Sequence, residues 1–148
     1  MNLKAIADKR HQIHENHASS RPLSDDYNLV GISGEWAFAH FSGMMPDLEE
    51  KPEGDKGIDF SLPVRLTIDV KTARKAYHLI QEVGKPVRAD IYVLAQYDDA
   101  TGKSELIGWE WAHILLQAPA KDFGYGIVNH YIHRNELRPM DDLKKMMI

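Results

Sequence analysis

The chain is 148 residues long, 43% hydrophobic and 27% charged, a composition that fits one globular domain with a sizeable core and argues against two. It contains no cysteine, which excludes a disulfide scaffold, a cysteine nucleophile and any thiolate zinc or iron–sulfur site. Lys+Arg 18 against Asp+Glu 22 give a formal net charge of -4, which argues against a surface that is basic throughout.

Met1 to Arg10 alternates charged and apolar residues and so lacks the apolar core of a signal peptide. No later segment reaches the roughly 20 apolar residues of a membrane span. A cytoplasmic address, in a bacterium or in a virus-infected host cell, is the expectation, with no membrane partner.

Leu3, Ile6, Ala7 and Ile13 recur at helical spacing and predict a helix over residues 2–18, with His11, His14 and His17 on its polar side. Pro22 and the serines of 19–24 end it. A second helix is expected to begin between Asp25 and Gly34 and to run through Trp36, Phe38 and Phe41 to a stop at Gly43. Gly31 and Gly34 inside it cost helix stability and point to close packing against another backbone. Residues 46–56, rich in Pro, Gly and charge, read as an exposed loop.

Two short runs of period-two alternation, 57–62 and 66–71, joined through Pro63-Val64-Arg65, have the shape of a hairpin. Ala73, Ala76, Tyr77, Ile80 and Val83 then follow helical spacing up to Gly84 and Pro86. Residues 89–97 form the most apolar run and should be a central strand. Across the turn at 98–103 lies its expected antiparallel partner, 104–112, with Trp109 and Trp111 on one face. A helical turn at 113–117, a loop, a strand at 125–133 and a terminal helix at 140–147 complete the order. This is an α/β (α+β layered) arrangement: a central mixed sheet of about four or five strands flanked by helices, in one domain spanning 1–148.

The chemistry concentrates in the hairpin. Asp69 and Lys71 are two apart on a strand and therefore share a face. If the hairpin folds symmetrically about Val64, Asp59 stands directly across from Asp69, and like charges so placed are destabilising. A divalent cation between them would turn that repulsion into ligation. Magnesium suits such a pair, because it takes one or two carboxylates while keeping waters and engaging phosphate oxygens. Lys71 then sits one strand step away, placed to counter phosphate charge or to orient a water. On its own, Asp69-Val70-Lys71 is also what a strand with an ordinary salt bridge contains.

With Glu35 in Gly34-Glu35-Trp36-Ala37-Phe38, Asp59 in Gly54-Asp55-Lys56-Gly57-Ile58-Asp59-Phe60, and Asp69-Val70-Lys71 closing a hydrophobic run, the sequence resembles the PD-(D/E)xK nuclease superfamily, of restriction-endonuclease-like fold. The resemblance spans roughly residues 30 to 95. It departs from the pattern at Ile58, where the family name has proline, and at Asp69, where Glu is more frequent. It implies that Asp59 and Asp69 ligate Mg²⁺, with Mn²⁺ able to substitute. It further implies that the Val70 carbonyl adds a ligand, that Lys71 orients or activates the water, and that Glu35 assists. The activity so implied is metal-dependent hydrolysis of DNA by a deoxyribonuclease; a homodimer would present two such sites to a duplex. The alternative is a catalytically inactive protein of the same fold that binds nucleic acid or another protein.

Asp55 competes as a second carboxylate, though an Asp before Lys-Gly reads better as a turn residue. Thr72 is placed to touch a phosphate or to cap the next helix. Arg74 and Lys75, off the apolar stripe of the 73–83 segment, and Arg88 beyond it are candidate phosphate contacts. The spacing of His11, His14 and His17 does not converge on one zinc, His133 reads as a rim or interface residue, and His130 is a candidate for a phosphate contact. Met44 to Phe60 holds six acidic and two basic residues, whereas Ser61 to Asp90 holds six basic and three acidic. The negative balance thus lies ahead of the proposed site and the opposite sign behind it.

Overall fold

The structure is a computed structural model that describes residues 27–44, 60–61 and 66–147. The predicted helix 2–18, the loop at 46–56, and Asp55 and Asp59 lie outside the described residues.

The first described element is α1, Tyr27–Ser42. Gly43 ends it in the left-handed conformation, φ 74, donating its N–H to Ala39 O at 2.8 Å. This is the expected glycine stop. Strands β1 (Phe60–Ser61) and β2 (Thr67–Ala73) follow, then β3 (His78–Glu82), β4 (Ile91–Asp98) and β5 (Lys103–Trp111). A short helix α2 (Ala112–Leu115), strands β6 (Ala120–Asp122) and β7 (Val128–His133), a 3-10 turn (Arg134–Glu136) and helix α3 (Met140–Met146) complete the chain.

The strands form two sheets instead of the single sheet expected from sequence. One is four-stranded and mixed, in the order β1-β2-β4-β5; the other is three-stranded, β3-β7-β6. In the first, β1 and β2 are antiparallel, β2 and β4 parallel, and β4 and β5 antiparallel. β4 is the central strand that its uninterrupted apolar run implied: Ile91 to Ala95 are all buried.

Alternation along β2 and β4 sends side chains into two separate cores. Ile68 and Val70, with Ile91, Val93, Ala95 and Trp109, pack under Phe38 and Ala39 of α1 and Leu143 of α3. Tyr92 and Leu94 face the other way and pack with Ala76, with Leu79 of β3, and with Ala112 and Leu115 of α2. Sheet one is therefore the middle layer, covered by helices on one side and by the second sheet on the other.

The segment 73–83, expected to be a helix, contains β3. Its apolar residues satisfy a helical spacing, but Leu79 and Gln81 are buried while His78, Ile80 and Glu82 are half-exposed, a period of two. Pairing with β7, 47 to 55 residues on in sequence, overrides the local pattern. Strand β6 lies where a loop was expected. Residues 128–133 and 140–146 take the strand and helix predicted there, and no described helix is long and apolar enough to cross a membrane.

Candidate functional site

Asp69 and Lys71 share the face of β2 that looks toward the second sheet. Lys71 Nζ lies 3.0 Å from Asp69 Oδ2, the Asp69 side chain 8% exposed and that of Lys71 40%. The same ammonium stands 5.1 Å from the ring centroid of Tyr92, on the neighbouring strand. A buried carboxylate must be compensated, and the lysine does so while keeping part of its length in water.

The described hairpin pairs are Phe60 with Ile68 and Ser61 with Thr67. This is the register in which the sequence set Asp59 across from Asp69; Asp59 itself lies outside the described residues.

Glu35 is 4% exposed on α1, and the helix covers the opposite face of the sheet. Ser33 Oγ lies 2.8 Å from Ser104 Oγ at the start of β5, and Gly34 abuts Thr72 of β2. The structure thus joins Asp69 to Lys71 directly and carries Glu35 on the helix layer that covers the opposite face of the sheet.

The expected close approach at Gly34 is present, although its partner is a side chain, that of Thr72, instead of backbone. At Gly31 no described residue makes such an approach within 4 Å of the point a Cβ would occupy. Thr72 Oγ1 is buried against α1 and has no hydrogen-bond partner among the described residues; no helix follows its strand for it to cap. Arg74 makes a bidentate pair with Asp99, Nε–Oδ2 2.7 Å and Nη2–Oδ1 3.0 Å, and lies over the Tyr97 ring. It sits at the end of a strand region and not on a helix face. Lys75 and Arg88 are exposed.

Residues that sequence reasoning missed complete this face. Asp69 is the strand partner of Tyr92, and Tyr92 is the partner of Glu110. The three form one row across β2, β4 and β5, with the outer backbones about 10 Å apart at the usual strand spacing. Glu110 is 6% exposed. Its Oε1 accepts from Arg138 Nε at 2.7 Å and from the Trp111 N–H at 2.9 Å. Burial raises the Tyr92 phenol above its ordinary pKa, opposed by Lys71 and reinforced by Asp69, so the ring remains a neutral phenol at physiological pH. One signal was available in the sequence: a glutamate between Trp109 and Trp111, in a strand otherwise built for burial, marks a charge that needs a partner. Nothing in the spacing identifies that partner as Arg138.

The described members of the expected ligand set are hard oxygens, the Asp69 and Glu35 carboxylates and the Val70 carbonyl, with no sulfur, but the two carboxylates belong to opposite sides of the sheet. That chemistry fits Mg²⁺ or Mn²⁺. Among the described residues, no three His, Asp or Glu side chains cluster closely enough to form a metal site by themselves. His130 Nδ1 is 2.8 Å from Ala118 O and His133 Nδ1 accepts from Asn135 N, so both serve the backbone. Comparison with known protein families, characterised proteins and solved structures gave no match.

Proposed function

We propose that this protein is a Mg²⁺-dependent deoxyribonuclease of the PD-(D/E)xK kind, with restriction-endonuclease-like architecture in its mixed sheet. The observation that supports this reading best is the Asp69–Lys71 pair. A buried acid and a half-exposed lysine lie two apart on one strand face, 3.0 Å from each other, beside a hairpin whose described register is the one that would bring Asp59 opposite Asp69.

In this reading Asp59, Asp69 and the Val70 carbonyl would hold the metal, and Glu35 would assist. When bound, the metal supplies a Lewis acid for phosphate oxygens and a water of lowered pKa. Lys71 donates a hydrogen bond to the attacking water or to a phosphate oxygen, its ammonium fixed by Asp69 and by the Tyr92 ring. Lys75 and Arg88, exposed beyond the site, offer phosphate contacts that position the strand without reading its sequence. Arg74 contributes only if it leaves Asp99. A homodimer would present two such sites to a duplex.

The test is cleavage of linear, nicked, branched and single-stranded DNA with Mg²⁺ or Mn²⁺, comparing wild type with Asp69→Ala and Lys71→Ala. Metal-dependent cleavage abolished in both folded variants supports the nuclease. Absence of cleavage by the wild type on every substrate, with DNA or protein binding retained, replaces it with the non-catalytic alternative.

A further inference from the structure

The outward face of the β3-β7-β6 sheet carries an aromatic cluster that the proposed nuclease chemistry does not use. Pairing of His78 with His133, Ile80 with Tyr131 and Lys121 with Asn129 puts His78, Tyr131, His133 and Lys121 on this face, since paired residues share a side. The opposite face buries Leu79 against Leu115 and Leu94.

Four rings converge here. His78 lies 5.3 Å from Phe123, 5.6 Å from Tyr131 and 5.3 Å from His133, and Phe123 lies 5.6 Å from Tyr131. None of the four is fully buried. Lys121 Nζ stands 4.7 Å from the Phe123 centroid and 5.0 Å from that of Tyr131. The Phe123 ring is held in place by the turn that follows it: Asp122 Oδ1 accepts from the backbone N–H groups of Gly124, Tyr125 and Gly126 at 2.7, 3.1 and 3.1 Å. Gly124 and Gly126 adopt positive φ, 114 and 75, which those bonds require and glycine tolerates.

We propose that this face is a stacking platform for the unpaired bases of a single-stranded nucleic acid, with Lys121 taking a phosphate of the same strand. Rigid rings offer π-faces to any base, and a cation beside them meets the backbone, which is how sequence-tolerant single-strand binding is built. Burial, together with nearby His133 and Lys121, lowers the pKa of His78, so near neutral pH its imidazole is a neutral ring. Asp122 and Glu82 flank the cluster, Asp122 turned into its own turn and Glu82 paired with Lys85 at 3.0 Å, and Lys121 is the cation that lies against the rings. A duplex keeps its base faces inside its own stack and cannot use such a platform, which selects a single strand. The inference does not depend on the nuclease reading.

The experiment is fluorescence anisotropy in EDTA, where no metal-dependent cleavage can occur, with a labelled dT 20-mer, its rU counterpart and a duplex of equal length. Wild type is expected to bind the single strands more tightly than the duplex. Phe123→Ala should weaken single-strand binding about fivefold or more, the lower end of the loss of one stacking ring. Lys121→Gln, an exposed change that spares the fold, should weaken it and reduce the slope of log K against log salt by about 0.7, the release of one counterion from a single strand. Preferential binding to DNA or to RNA would identify the natural strand. Equal affinity for duplex, absence of single-strand binding at low salt, or an unchanged affinity and salt slope in Lys121→Gln would overturn the proposal.

Discussion

Gly34 on α1 seats so closely on Thr72 of β2 that a Cβ at position 34 would lie 2.9 Å from the Thr72 Cβ and overlap its hydroxyl. This contact sets the height of α1 over the sheet, and with it the place of Glu35. Gly34→Ala should gain about 1 kcal/mol of helix propensity and lose about 1–3 kcal/mol to overpacking, so the variant should be less stable than wild type. Thr72→Ala removes the hydroxyl and methyl but keeps the Cβ, which would still lie 2.9 Å away, so the double variant should recover part of the loss. Urea denaturation of the four proteins measures the coupling. Additive single effects would contradict the contact.

Arg138 holds Glu110 from outside the sheet. The segment that carries it also closes over β5: Trp109 Nε1 donates to Pro139 O at 2.9 Å, and Trp109 and Arg138 exchange backbone hydrogen bonds of 3.1 and 2.9 Å. Arg138→Leu strands a carboxylate that is 8% exposed, and should cost about 1–2 kcal/mol, less than a fully buried pair because Arg138 is partly in water. Pairing it with Glu110→Gln should return part of that stability. Thermal melts followed by tryptophan fluorescence would register both the loss and any loosening around Trp109; equal stabilities of Arg138→Leu and wild type would show the pair to be idle.

His78 gives the fold a dependence on acid. Its folded pKa lies below the ordinary imidazole value of about 6.5, so over that interval the unfolded chain binds a proton that the folded chain does not. Stability contributed by His78 is therefore present above about pH 6.5 and declines as pH falls through the depressed folded value. The difference in melting temperature between wild type and His78→Gln should shrink, or change sign against wild type, between pH 8 and pH 5.5. A difference that stays constant over this range would mean that the imidazole titrates normally.

Legibility of the fold followed the range of the interactions. The β4–β5 hairpin was readable because its apolar run, its Asp-Asp-Ala-Thr-Gly-Lys turn and its partner are contiguous, and α1 because Gly43 marks its end. The second sheet was not readable. Its strand β3 is five residues long and is fixed by pairing with distant β7, which no local period encodes, while β6 has only three residues, all exposed, and so shows no alternation to read. The same limit applied to the site. Asp69 and Lys71 are two residues apart and were found; Tyr92, Glu110 and Arg138 join the same face only through strand register and a contact spanning 28 residues.

The Asp69–Lys71 contact separates a metal site from an ordinary ion pair through the response to Mg²⁺. An ammonium 3.0 Å from Asp69 Oδ2 competes with any cation for that carboxylate. If Asp69 ligates the metal, 10 mM Mg²⁺ at a Kd on the order of 1 mM stabilises the folded state by about 1.4 kcal/mol, or roughly 3–6 °C for a chain of this size. Each protein is compared with itself in EDTA, so the intrinsic cost of a substitution cancels. Wild type should show the rise and Asp69→Asn should lose it. Lys71→Met removes the competing charge and should bind Mg²⁺ more tightly, giving a larger rise than wild type even though its cleavage activity is lost. A purely structural ion pair predicts a different pattern: no response to Mg²⁺ in wild type, and in Lys71→Met only the lower baseline of a buried acid that has lost its lysine.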